Sequence, residues 1–495
     1  MDQSEIENIL HHLNYRWNLE ALAIWKGDKL PFKPHEIYES YNDFISLETL
    51  SHIDELEDRH AKTRLRFALI DHYLQRALLP HETEMRAWMQ GASAHVHDEK
   101  IRFREIITWC QKDSTYEKRK VLAKETGPLC KFLRVFAINY WDILLKILEN
   151  EFGFKDYVDY CGEKKGIDYH HYYLLVKDLL HETDELYFAA MEQWSREHFN
   201  LPLDALSRFD AINLLGLCQF DAMLPPKDLK EMPSFFQCWG IDLNNFPGLH
   251  LDLGHEDGKS AQAMCFILQA PEEVYIMIKP QGGWVDVETL WHELGHGLSA
   301  IFVSPELSMV DKDMATSYNL SESFAFLLQN MALSAPFLKK YFGLNLEDSE
   351  KIAHYKVLRD FSLFRRYAAK FLAEYEMFNN GDISNGEVYS QLMVRHTGFC
   401  YQPECHLFDL APEFYCLDYL LAWMAEANME EYLSSHLGDN WMFRKDTGSI
   451  LKKWWGQGNL FEIDRFLDQN DLGHLTPDRL LKRWKRVSVE GPGNH

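Results

Sequence analysis

VDVETLWHELGHGLSAIF, residues 285–302, carries the densest chemistry in the chain. Its apolar residues repeat at helical spacing, and PQGG (280–283) breaks the preceding pattern. This predicts an amphipathic helix over 286–303, with Asp286 available as its cap. Within it stands His292-Glu293-Leu294-Gly295-His296. Residues i and i+4 lie one turn apart on the same helix face, so two imidazoles can reach one ion at the ~2.0–2.1 Å of a Zn–N bond. Glu293 projects beside them, where it could take a proton from a water activated by the metal and pass it to a leaving amine. Gly295 and Gly297 flank the second histidine. A glycine inside a helix costs about 1 kcal/mol relative to alanine, so the pair predicts that another element approaches this backbone closely.

A zinc site that works on substrates needs a third protein ligand. MATSYNLSESFAFLLQNMAL (314–333) offers Glu322 at the start of a second apolar helix. The same residues, Asn319-Leu320-Ser321-Glu322, also read as a capping box, in which Glu322 would be an ordinary helix-start residue. Asp311 and Asp313 are the alternative donors nearby.

Working back from the motif, GLHLDL (248–253), AQAMCFIL (261–268) and VYIMIK (274–279) read as strands, with GHEDGK (254–259) as a turn. A small antiparallel sheet over 248–279 is therefore expected beside the motif helix. VYIMIK would present a free edge along which an extended peptide could pair. Residues 1–200 read as helical. The segments 47–79 and 114–152 (the latter broken near Gly127-Pro128) and 168–199 show helical periodicity. The expected division is an N-terminal helical lobe over 1–200, walling a channel, and a catalytic lobe over 201–495.

The net charge of −25 argues against a broad nucleic-acid face or docking on an anionic membrane. Lys452-Lys453-Trp454-Trp455 and Arg483-Trp484-Lys485-Arg486 are then read as packing helices. MDQSEIENILHHLNYRW at the start has no signal-peptide pattern, and no apolar run reaches the length of a membrane span. Nine scattered cysteines without a CxxC pair read mostly as buried free thiols, so a cytoplasmic protein is expected. His170-His171 reads as structural, and His255 as a solvated turn residue.

The block GLHLDLGHEDGKSAQAMCFIL, then VYIMIK, then the motif segment resembles the core of the thimet oligopeptidase and oligoendopeptidase F family of zinc metallopeptidases. The Gly258-Lys259 turn, the strand from Ala261 to Cys265 and the helix from His292 to His296 follow in that family's order. Upstream, residues 206–224 and 235–243 are similar in texture. The resemblance implies a mainly helical, bilobed fold with a deep channel, one zinc ion, Glu322 as third ligand, and cleavage of short peptides. The chain departs from the family at Ser299, where a histidine is usual, and at Glu322-Ser323-Phe324-Ala325, where Glu-Ala-Pro-Ser is usual.

Attack on a peptide carbonyl also calls for a donor to the developing oxyanion, which a tyrosine hydroxyl or a histidine N–H supplies. Residues 406–419 offer His406, Tyr415 and Tyr419, and the two tyrosines share a face if Pro412 opens a helix. His406 and Tyr415 match the resembling family's order of such donors. The competing readings are a carboxypeptidase of related helical fold, a catalytically inactive peptidase-like binding protein, and a helical scaffold with a chance motif. Oligomeric state is not legible in the sequence.

Overall fold

Helix starts are well marked in this chain. Asp2, Ser46, Thr115, Asp156 and Asp168 each accept the backbone N–H of the residue three positions on, which satisfies one of the donors that a helix start leaves open. The computed structural model describes residues 1–27, 35–112 and 114–489, and it is mainly helical. Six helices matter below: α1 (Gln3–Lys26), α2 (Tyr116–Asn150), α3 (Tyr157–Lys165), α4 (Trp284–Ile301), α5 (Asn319–Ala332) and α6 (Tyr415–Leu437). The strands are β1 (Ser93–Val96), β2 (Glu99–Arg102), β3 (Leu249–Asp252), β4 (Met264–Gln269) and β5 (Glu273–Met277). Among the described residues, no helix is long and apolar enough to cross a membrane.

Over these residues the chain forms two compact units. One draws on Met1–Arg76, Asp221–Ala353 and Leu421–Leu480, the other on Ala77–Phe220, His354–Leu420 and Leu481–His495. The expected boundary at 200 is therefore not where the chain divides. The reason lies in α1, whose Leu22 and Trp25 pack against Phe266, Leu268 and Met277 of the sheet. Periodicity shows that a helix has a buried face but not what that face is buried against.

In the first unit the sheet order is β3-β5-β4. β4 and β5 form the expected antiparallel hairpin, with Cys265 opposite Ile276, but β3 runs parallel to β5, with Leu251 opposite Ile276. The sheet is mixed rather than antiparallel. β5, the VYIMIK strand, is its centre and has no free edge to offer a peptide. Its near-continuous burial (Val274, Ile276, Met277 and Ile278 are all at most 2% exposed) is the mark of a strand covered on both faces. Lys259, buried behind the β3–β4 connection, ties it down. Its ammonium donates to Asp252 Oδ1 (2.6 Å) and to the carbonyls of Asp252, Gly254 and Ile278 (3.0, 3.0 and 2.9 Å).

α4 lies on this sheet. Its opposite face is anchored by Trp291, whose ring meets Phe235, Phe236 and Phe337 at 5.0, 5.1 and 5.1 Å. Aromatic pairs of this kind add about 0.5–1.5 kcal/mol each beyond their area burial.

In the second unit α2 continues through Gly127-Pro128 without the expected break. Gln402 lies against Gly127 and donates to Ala123 O at 2.6 Å, so a tertiary contact supports the turn that proline weakens. The β1–β2 hairpin was not anticipated; only Ala94, Val96 and Ile101 alternate inward to mark it.

Lys259→Met should cost about 2–3 kcal/mol of unfolding free energy, because it strips buried carbonyls of their donor. An unchanged urea midpoint would show that the ammonium does not hold the connection.

Candidate metal centre

α4 begins at Trp284, two residues before the expected start. Asp221 Oδ1 accepts the Trp284 N–H at 2.9 Å. Asp286 is not the cap residue. From the first turn, its carboxylate reaches back to the N–H groups of Gln281 (2.9 Å) and Gly282. The capping position belongs to Gly283, whose φ of 85° favours glycine.

The close approach expected at Gly295 is present. A Cβ there would stand 2.5 Å from Ala325 Cα and 2.7 Å from Phe324 O, so α5 rides directly on α4 at this residue. At Gly297 the neighbour is Ile276 Cδ1, 2.7 Å away. With α5 so close, Glu322, one turn before Ala325, faces the two histidines. Glu322 Oε2 lies 3.5 Å from His292 Nε2 and 3.6 Å from His296 Nε2. Ligands held at ~2.0–2.2 Å around a tetrahedral ion would be roughly 3.3–3.6 Å apart. The donor set therefore fits a single small cation. Among the described residues, His292, His296 and Glu322 are the one group of this kind whose ligand atoms all lie within 4.8 Å of one another.

The other readings of the third donor meet definite obstacles. α5 starts at Asn319 without a side-chain cap, and Glu322 N–H bonds to Tyr318 O at 2.9 Å, so the capping box does not form. Asp311 is taken by His60 (2.7 Å) and Ser308 (2.7 Å). Asp313 pairs with His11 (3.1 Å) and accepts the Ala270 N–H (3.2 Å).

Two partners that sequence reasoning missed orient the imidazoles. His292 Nδ1 lies 2.8 Å from Gln329 Oε1, and Gln329 Nε2 in turn donates to Glu288 Oε1 at 3.2 Å. With the amide oriented this way, Nδ1 of His292 carries the proton and the Nε2 lone pair is left for a metal. His296 Nδ1 lies 2.8 Å from Ser321 Oγ. The one signal available beforehand was the general rule that a ligating histidine donates its other N–H.

Glu293 is 8% exposed. Burial raises its carboxyl pKa; His292 and His296 pull it down, Glu322 adds to the rise, and the net shift is upward. Its carboxylate accepts the Cys265 N–H from β4, which fixes its direction. For His296, burial favours the neutral ring, but Glu322 and Glu293 outweigh it and raise the pKa.

The three expected oxyanion donors belong to the second unit. His406 is 1% exposed, with Nδ1 2.8 Å from Pro403 O and Nε2 2.9 Å from Ile383 O. With a carbonyl at each ring nitrogen, it has no N–H to offer a substrate. Tyr415 and Tyr419 are half-buried on the first turns of α6, their rings perpendicular at 4.9 Å, and Tyr367 packs 4.8 Å from Tyr419. Pro412 opens a short 3-10 turn rather than α6 itself. His170 bonds to the Tyr375 hydroxyl at 3.1 Å, in keeping with a structural role.

A scan against protein-family models finds no match, and no curated protein matches the chain.

Gln329→Leu keeps most of the volume but leaves the His292 Nδ1–H without its acceptor. Competition with a chelator should show metal affinity falling about 10- to 100-fold. Unaltered affinity would mean that Gln329 does not orient the ligand.

Proposed function

We propose that this chain is a zinc-dependent peptidase that cleaves short, unstructured peptides. The observation that carries the reading is the convergence of His292, His296 and Glu322 with Glu293 held beside them. Two histidines and a glutamate, with a fourth position left for water, are a donor set that suits catalytic zinc. The order of sequence blocks shared with the oligopeptidase family points the same way. A zinc ion bound there would supply Lewis-acid polarisation to the attacking water and the scissile carbonyl.

The chain's own groups then have distinct tasks. Glu293 takes a proton from the attacking water and returns it to the leaving amine, and the Cys265 N–H keeps its carboxylate aimed. Of the three expected oxyanion donors His406 is committed to carbonyls, which leaves Tyr415 and Tyr419 as the residues to test. The peptide main chain meets the outer edge of β4 near Met264, the Cys265 N–H being committed to Glu293. Farther along, Asn18 already occupies Ile267 O at 3.1 Å. Main-chain pairing of this sort tolerates many side chains.

Glu293→Gln should keep its metal and lose peptide hydrolysis by about 10²–10⁴-fold. A variant that cleaves a quenched peptide at close to the wild-type rate would remove Glu293 as the base. Tyr415→Phe or Tyr419→Phe, whichever deletes the donor, should lower kcat by about 10²–10³-fold with KM little changed. Wild-type kcat in both would place the donor elsewhere.

A further inference from the structure

Buried lysines in the second unit are closely paired, with one exception. Lys164 and Lys165 of α3 each donate to a carboxylate oxygen at 2.7 Å, on Glu413 and Asp418. Lys370 does not follow them. The helix Leu346–Asn379 carries Arg366, Lys370 and Glu374 four residues apart, so all three lie on one face. Asp409, which follows the short 3-10 turn Pro403–Phe408, meets that face, and both its oxygens are already used. Arg366 Nη2 donates to Oδ1 at 2.5 Å and the Tyr389 hydroxyl donates to Oδ2 at 2.6 Å. Lys370 is only 5% exposed, yet its ammonium stands 3.9 Å from Glu374 Oε1 and 4.0 Å from Asp409 Oδ1 and makes no hydrogen bond to a described residue. Glu374 offsets only part of its charge at neutral pH, because burial lifts the carboxyl pKa to about 7 against the pull of Lys370 and the Ala411 N–H. Arg208 opens the helix Arg208–Leu215 and belongs to the same cluster. Burial works against its charge, Tyr389 and Asp409 favour it, and Arg366 opposes it. Its guanidinium, too, makes no hydrogen bond to a described residue, and only the Phe209 ring lies near it, at 5.4 Å.

Three cations thus gather around one carboxylate whose oxygens are taken. A buried cation without an acceptor is costly, and such groups are normally paired and hydrogen-bonded. What the cluster lacks is a second anion. We propose that Arg208, Arg366 and Lys370 form a binding site within the second unit for a small oxyanion, a carboxylate or a phosphate group. The unused fork of Arg208 matches either group with two parallel N–H donors, and the Lys370 ammonium adds a point charge with three more. Asp409 and Tyr389 have a different task, since they fix Arg366 in the cluster. Every residue of the site belongs to the second unit and none is a metal donor, so the site does not depend on the zinc reading.

The test is isothermal titration of the full chain with acetate and, separately, with inorganic phosphate, each against a chloride background of the same ionic strength. The wild type should bind at least one of the two, and the tighter one identifies the source of the oxyanion. Arg208→Gln and Lys370→Met each remove charge-assisted hydrogen bonds to the ligand and should weaken binding about 10- to 100-fold. Neither side chain donates to a described residue, so both variants should fold, with a circular dichroism spectrum like that of the wild type. If Lys370→Met does not fold, Arg208→Gln decides alone. A bound metal also attracts these anions, and Glu322→Ala separates the two sites: it should keep the binding that Arg208→Gln loses. A wild type that binds neither anion, or folded variants that bind as the wild type does, would make the three cations structural only. Binding lost in Glu322→Ala and kept in Arg208→Gln would assign the anion to the metal centre and overturn the proposal.

Discussion

At residue 295 only a hydrogen separates the backbones of α4 and α5. The cost of a glycine inside α4, about 1 kcal/mol relative to alanine, is offset by what the contact allows. A helix backbone passes within van der Waals reach of another, and a carboxylate one turn away is carried to the two imidazoles. A methyl at this position would meet Ala325 Cα and Phe324 O, backbone atoms that cannot rotate aside. Trp291 and its ring cluster hold α4 from behind, and the sheet supports it at Gly297, so the helix cannot retreat either. The three-donor constellation follows from this packing constraint, and α5 needs no capping interaction from Glu322 to form.

Around that contact the polar groups are arranged in layers. Gln329 and Glu288 form a chain behind His292, and Ser321 stands behind His296. The Cys265 N–H reaches Glu293 from the neighbouring strand. Each layer restricts rotation of the group in front of it, which is what preorganisation requires: the rotamers are chosen by the fold before any ligand arrives. Lys259 does the same beside the sheet, binding the carbonyls of Asp252, Gly254 and Ile278 from inside.

What could be read from the sequence follows the reach of each interaction. His292, Glu293 and His296 were legible because one helical turn relates them, and helix geometry is local. Glu322 was legible only as one of two readings. A capping box and a ligand share the same letters, and the choice depends on α5 starting at Asn319, which the packing at Gly295 determines. Gln329 and Ser321 were not legible, since their partners lie on another helix and no spacing rule connects them. The strands were found, yet their order was not: β5 sits between β3 and β4, and a crossover of that kind leaves no mark in a period-two pattern. Pro128 reads as a break in the sequence because the supporting Gln402 is far away along the chain.

If His292, His296 and Glu322 form one zinc site, the metal content of the purified protein will show it. Wild-type protein and Glu322→Ala would be dialysed against a mild chelator and measured by elemental analysis. One zinc per wild-type chain and little or none in the variant are expected. A wild-type chain without zinc, or a variant that holds a full equivalent, would contradict it.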